Sequence, residues 1–409
     1  MTSTSKIEIY DFHTKLKDHF KSRKKTWDWF ANQKIKTDQK KEVKTSILKN
    51  TFRLERTDYE NLYTISDEVC SALQIDAQVT FYQEQNSVQL NTSICIIENE
   101  AHIVFSGNVL NILNSDEQKA LLGHELGHYL FSKMDNEAYE VTERIIDALS
   151  ADVNSDDAYI ETFRKFKLYL ELFCDSCAFN VCAEKESMIS TLVKLETGLS
   201  EVNASSYLKQ AMEIISEDED LITERSTHPE SYIRSIALHQ KAENLEEKEI
   251  VAIKQLVEGS LDLNKLDLFQ QHKLKDISLS LIQLILKPKW MQTELTQNLA
   301  HEYFANYSKE KSGFSLTEIK DFISEMHVNC KNYLSYILLD FTRADNELEL
   351  LPLGHTMEIS ELLDINKDYV KVVKKELKLN QKELKKIQSQ ILEDYQNIRE
   401  GDGESLYKE

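Results

Sequence analysis

The sequence predicts a predominantly helical α+β protein, and three observations predict it. Only 9 Gly and 3 Pro interrupt 409 residues, and so few breakers leave room for long helices. Strand-type segments, dense in β-branched and aromatic residues, are confined to residues 79–105. From Glu246 onward the pattern is helical throughout. A chain of this length is expected to hold two or three domains with sizeable cores.

Residues 1–50 read as a basic helical segment anchored by Phe20, Trp27, Trp29 and Phe30. This segment holds 13 Lys+Arg against 6 Asp+Glu, within a chain of net charge −21. A solvated helical face is the first reading of that charge, and an acidic partner or membrane surface the second. The acidic body disfavours a nucleic-acid partner, because binding must neutralise phosphates. The first residues have no apolar leader pattern, and no 18-residue apolar run exists. Six cysteines in such a chain do not suggest a disulfide framework, so a cytoplasmic protein with reduced thiols is expected.

Asp58 to Leu73 reads as a helix. Val79–Tyr82, Val88–Leu90, Ile94–Ile97 and Ile103–Phe105 follow, and predict a small antiparallel sheet. Ser115 with Gln118 three residues later matches a capping box opening a helix to about Lys133. A second long helix spans about Tyr159 to Cys182. A third should start at Pro229, which suits a first helical position, and run to about Ala242.

The first of these helices carries His124-Glu125-Leu126-Gly127-His128. Histidines four apart lie on one helix face, where two neutral imidazoles can grip one zinc ion. Glu125, beside the first ligand, is placed to take a proton from a water that the metal acidifies. Gly127 leaves room close to the metal. Two solvated surface histidines are the bland alternative. A catalytic zinc needs a third protein ligand, and Glu171 with Asp175 shares one face of the next helix among Tyr169, Leu172, Phe173 and Phe179. Carboxylates in such company are costly without partners. Glu171 is therefore expected as the third ligand and Asp175 as the acceptor of the outer N–H of His124. An ordinary helical acid pair is the other reading.

These segments, with Ser226-Thr227-His228-Pro229, Arg234 and Ile103–Gly107, are similar in order and spacing to the HtpX-like and CAAX-prenyl-endopeptidase-like zinc metallopeptidases, which are gluzincins. The resemblance spans roughly residues 55–242. It implies a gluzincin-type peptidase domain, one Zn²⁺ per chain, and a protein or peptide substrate. It also implies that His228 and Arg234 lie beside the metal, where donors can stabilise the oxyanion of peptide hydrolysis.

The expected organisation is therefore residues 1–50, a basic helical segment; 51–245, the zinc peptidase; 246–375, an all-α accessory domain; and 376–409, an exposed C-terminal helix. The accessory region faintly resembles TerB-like helical domains through Ile337–Asp340, Ala344–Glu347 and Glu358–Leu363, and is the expected site for a protein partner. The expected activity is a zinc metalloendopeptidase. The alternative is a latent or non-catalytic zinc-stabilised scaffold. Cys174 and Cys177, with Cys182, read as core cysteines rather than a metal or redox site.

Overall fold

A computed structural model describes residues 7, 9–182, 184–217, 221–243, 252–308, 314–380 and 382–384. It divides into two compact units, Met1–Gly259 and Ser260–Glu409.

The first unit opens with α1 (Asp11–Ser22), α2 (Lys24–Phe30) and α3 (Gln33–Asn50). Phe20 is fully buried, but Trp29 is 58% exposed and anchors nothing. The short α2 instead docks through Phe30, whose carbonyl accepts from Arg144 at 2.6 Å. The sheet contains β1 (Thr51–Leu54), β2 (Gln78–Glu84), β3 (Asn91–Ile97) and β4 (Glu100–Ser106), in the order β1-β2-β4-β3. It is mixed rather than wholly antiparallel, because β2 and β4 pair in parallel. The reason is topological. The tight turn at Glu98 and Asn99 folds β3 back on β4, so the segment 85–90 must carry the chain to the far edge. That segment contains Val88–Leu90, which forms no strand; Asn86 takes a left-handed turn, and Val88 is 93% exposed.

In the chain between β1 and β2, α4 (Glu60–Leu73) packs on α6 and meets the sheet through Tyr63, which is edge-on to Phe81. The unit is then built on two long helices, α6 (Ser115–Ala151) and α7 (Ala158–Cys182), preceded by the short α5 (Val109–Ile112). The cap of α6 is Asn114 with Glu117, one residue before the expected Ser115–Gln118 box. The Glu117 carboxylate also accepts from Lys194 at 2.8 Å and Ser190 at 2.6 Å, so this cap doubles as a buried ion pair with α8 (Lys185–Thr197). Helical geometry lapses at Met134–Glu137, where Asp135, Asn136 and Glu137 all have φ between 50° and 64°. Three consecutive left-handed non-glycine residues are strained. The ammonium groups of Lys17 and Lys21 hold the turn, at 2.8 and 2.9 Å from Asp135.

α9 (Ala204–Glu217), α10 (Ser231–Ala242) and α11 (Ile253–Glu258) complete the first unit. α10 begins two residues after Pro229, with Glu230 as its N-cap, not at the proline itself. The Tyr169 hydroxyl donates to Glu258 at 2.6 Å, and the Thr223 N–H to the Leu256 carbonyl at 2.8 Å. These bonds bind α11 to the rest of the first unit.

Among the described residues the second unit is helical apart from turns, loops and a parallel bridge between Leu261 and Met326. Its helices are α12 (Leu268–Ile285), α13 (Glu294–Tyr303), α14 (Leu316–Ser324), α15 (Val328–Arg343), α16 (Leu351–Leu362) and α17 (Asn366–Glu376). Ile277, Leu281, Ile285, Leu334, Leu338 and Phe341 form an independent core. Within it, the Tyr369 hydroxyl meets Thr356 and Thr342 at 2.7 and 2.9 Å, which satisfies three buried polar groups at once. The expected C-terminal helix lies outside the described residues from position 385 onward.

His13 links α1 to both long helices. Its ring lies edge-on to Phe131 and Phe166, at 4.8 and 4.7 Å between centroids. Nε2–H donates to the Phe166 carbonyl at 3.0 Å, and Nδ1 is buried without a partner. Burial pushes this imidazole down from 6.5 to about 4. The unfolded chain therefore takes up a proton between pH 6.5 and 4 that the folded unit does not. Stability is present above this window and is lost as the pH falls through it, by about 3 kcal/mol in all for a shift of this size. The urea midpoint of the first unit should fall across this range, and His13→Gln should flatten that fall. Parallel curves for wild type and variant would show that His13 does not contribute.

Candidate active site

The α6–α7 contact is close because small residues line it. A Cβ added at Gly123 would stand 2.8 Å from the Ala178 Cα, and one at Gly127 would stand 3.0 Å from the Cys174 Cα. The room that Gly127 leaves is taken by the backbone of α7. Cys174 and Cys177 are fully buried at this contact, and burial pushes both thiols up, Cys177 to about 12. They behave as small core residues. The glycine spacing of four was visible in the sequence as a potential close-packing face, and sequence reasoning missed it.

This proximity brings the α7 carboxylates against the α6 imidazoles. The rings of His124 and His128 are 5.1 Å apart and nearly perpendicular. Glu171 Oε2 is 3.3 Å from His124 Nε2, and Oε1 is 3.6 Å from His128 Nε2. The three ligand-type atoms lie within 4.8 Å of one another, and theirs is the one such group among the described residues. Glu171 is 1% exposed, and its Oε2, though near His124, has no aligned hydrogen-bond partner. A buried carboxylate oxygen without a donor is costly unless something positive meets it.

Asp175, one turn further along α7, accepts from His124 Nδ1 at 2.9 Å. Arg234 on α10 donates to the same carboxylate twice, Nε at 2.7 Å and Nη2 at 2.6 Å. Its Nη1 lies 3.7 Å from Glu171. Sequence spacing brought Arg234 to the site by resemblance, but nothing in the sequence links it to Asp175, 59 residues away. His228 sits at the mouth, its side chain 58% exposed, with Nε2 3.5 Å from Glu171 Oε1. Its Nδ1 is 2.8 Å from the Thr227 hydroxyl.

Electrostatically, the site sets two buried carboxylates, Glu171 and Asp175, against His124 and Arg234. Burial alone would lower the His124 imidazole, but Asp175 and Glu171 outweigh it and hold it up at about 10. His128 lacks an aligned acceptor, and burial pushes it down to about 3. Burial opposes ionisation of Glu171, yet the neighbouring imidazoles and Arg234 hold it well below the carboxylate range. Glu125 is 5% exposed, and burial raises its carboxyl to about 7. Two imidazoles and a buried carboxylate are a donor set suited to zinc.

Residues 60–242 match the model of Peptidase family M48. No curated protein and no solved structure matches the chain. The matched span runs from α4 to α10 and holds every residue of the site. That match supports a metallopeptidase, and the matched family is zinc-dependent. Among the described residues no helix is long and apolar enough to cross a membrane.

The packing makes a test of its own. Gly→Ala in an ordinary helix gains about 1 kcal/mol. Gly123→Ala should instead lower stability by about 1–3 kcal/mol through overpacking, read as a lower thermal midpoint. A stabilised Gly123→Ala protein would contradict the α6–α7 register described above.

Proposed function

We propose that the chain is a zinc-dependent metalloendopeptidase, with His124, His128 and Glu171 as the ligands of one Zn²⁺. The observation that carries this reading is the Glu171 carboxylate, buried against both imidazoles with one oxygen left without a hydrogen bond. The 3.3 Å between His124 Nε2 and Glu171 Oε2 is also close to the edge of a tetrahedron with ~2.0–2.1 Å bonds.

Zinc, when bound, supplies Lewis acidity to the attacking water and to the scissile carbonyl. The remaining chemistry belongs to the chain. Glu125 accepts the proton of the attacking water and then returns it to the nitrogen of the departing amine. A carboxyl poised near neutrality suits both transfers. Asp175 holds the Nδ1–H of His124, which turns the Nε2 lone pair inward. Arg234 spends two donors on Asp175, so its part is to fix that carboxylate and offset the charge of Glu171. His228 Nε2, at the mouth, donates to the carbonyl oxygen as it gains charge. β3 is an edge strand of the sheet and contacts α6, and this reading has an extended substrate peptide add to that edge.

The zinc-stabilised scaffold reading differs in one place. It gives the buried Glu125 no task. Purified protein should carry one zinc per chain. Glu171→Ala should lose the metal, while Glu125→Gln keeps it and loses peptidase activity by about 10²–10⁴-fold. Full activity in Glu125→Gln, or full zinc in Glu171→Ala, would sink the corresponding assignment.

We further assign the second unit a non-catalytic role in recruiting protein substrates or partners. It has its own core, and among the described residues it brings no metal-ligand group together. Truncation after Gly259 retains α11, which truncation near Glu246 would remove. The shortened protein should keep its zinc and its cleavage of short unstructured peptides, and lose efficiency on folded proteins. Loss of zinc on this truncation would show that the peptidase unit depends on the second.

A further inference from the structure

One face of α7 carries the site as a stripe, at positions 164, 171 and 175. The spacings of seven and four residues keep all three on one side of a helix, about 10 Å and 6 Å apart. Each position engages a later point of a single downstream stretch. Arg164 Nη1 donates to the carbonyls of Thr223, at 3.4 Å, and Arg225, at 3.1 Å. Glu171 faces His228, and Asp175 accepts from Arg234. Residues 223–234 therefore run along α7 in parallel register, held at three points.

The Arg164 end of this register is built rather than incidental. Its Nε and Nη2 make a bidentate pair with Glu161, both bonds at 2.8 Å, and the side chain is 16% exposed. That pairing aims the remaining nitrogen at the two carbonyls and fixes its angle. Between the ends, residues 224–228 are exposed, while Thr223 and Pro229 are buried. Nothing else in the loop grips α7 on the N-terminal side of His228 except this guanidinium, among the contacts described. On the opposite side the Thr223 N–H is held by Leu256 of α11.

We infer that Arg164 is a positioning residue that sets the register in which His228 reaches Glu171. The inference rests on the role given to His228 above. Arg164 is outside the His124–His128–Glu171 group and acts through the loop. Without it, the carbonyls at 223 and 225 lose their anchor on α7, and the exposed stretch that carries His228 keeps on that side only the Thr223 bond to Leu256 and the Arg225–Glu196 pair, neither of which touches α7.

The test uses the full-length protein and begins with hydrogen exchange, with neither zinc nor substrate added. Arg164→Gln should speed exchange of the Thr223 and Glu224 amides by about tenfold or more, while α7 and α10 keep their protection. Unchanged exchange at these two amides overturns the proposal. Activity on a peptide then provides a double-mutant cycle. Arg164→Gln should lower kcat about tenfold at unchanged zinc affinity, and should lower it no further in a His228→Ala background. An equal loss in both backgrounds overturns the proposal, because Arg164 would then act independently of His228. Arg164→Lys, which keeps the charge but not the fork, should fall between wild type and Arg164→Gln. If Arg164→Gln does not fold, Glu161→Gln is read by the same two measurements. A wild type without peptidase activity would sink the peptidase reading, and the exchange experiment would still decide the register of the loop.

Discussion

The close approach of α6 and α7 is the constraint on which the rest of the first unit depends. Gly123 and Gly127 let the backbone of one helix rest on Ala178 and Cys174 of the other. Only at that separation does a glutamate side chain from α7 span the gap to two imidazoles on α6. A larger residue at either glycine would hold the helices apart, carry the buried Glu171 carboxylate away from both imidazoles, and leave Asp175 with Arg234 but without His124. A buried carboxylate parted from its partners is costly in a protein interior.

Support for the site then spreads outward in layers. Arg234 neutralises Asp175 from α10, and Asp175 in turn orients His124. Glu117, Ser190 and Lys194 join the start of α6 to α8 through buried charge-assisted bonds. On the other side His13 wedges α1 between Phe131 and Phe166, and Lys17 and Lys21 hold the left-handed turn that ends the first stretch of α6. The basic N-terminal segment thus has structural work in the fold. At least two of its lysines neutralise a strained acidic turn rather than facing solvent alone.

Prediction from the sequence succeeded where periodicity is strong and failed where a residue's role is set from far away. The long α7 and the helix of the first unit's histidines follow from local pattern and few breakers. α8 and α9 went unread, since neither carries a motif. Val88–Leu90 has strand composition but serves as a crossing loop, because the β3–β4 turn forces the chain to the far edge. Trp29 is apolar enough for a core, yet the seven-residue α2 buries none of its side chains, Phe30 being half-buried and Trp29 exposed.

What the sequence by itself determined are the facts of helix geometry. Residues four apart share a face, so His124 with His128, and Glu171 with Asp175, were paired before any fold was known. The chemistry of those residue types then pointed to a metal. Tertiary structure alone decided which pairs face each other, because that depends on where two helices touch and on what lies between them. Asp175 and Arg234 are 59 residues apart, Arg164 and Arg225 are 61, and Lys194 and Glu117 are 77. No periodicity connects such positions. They meet because α8, α10 and the stretch before α10 pack on the two long helices, and charge then selects the partners that can satisfy it.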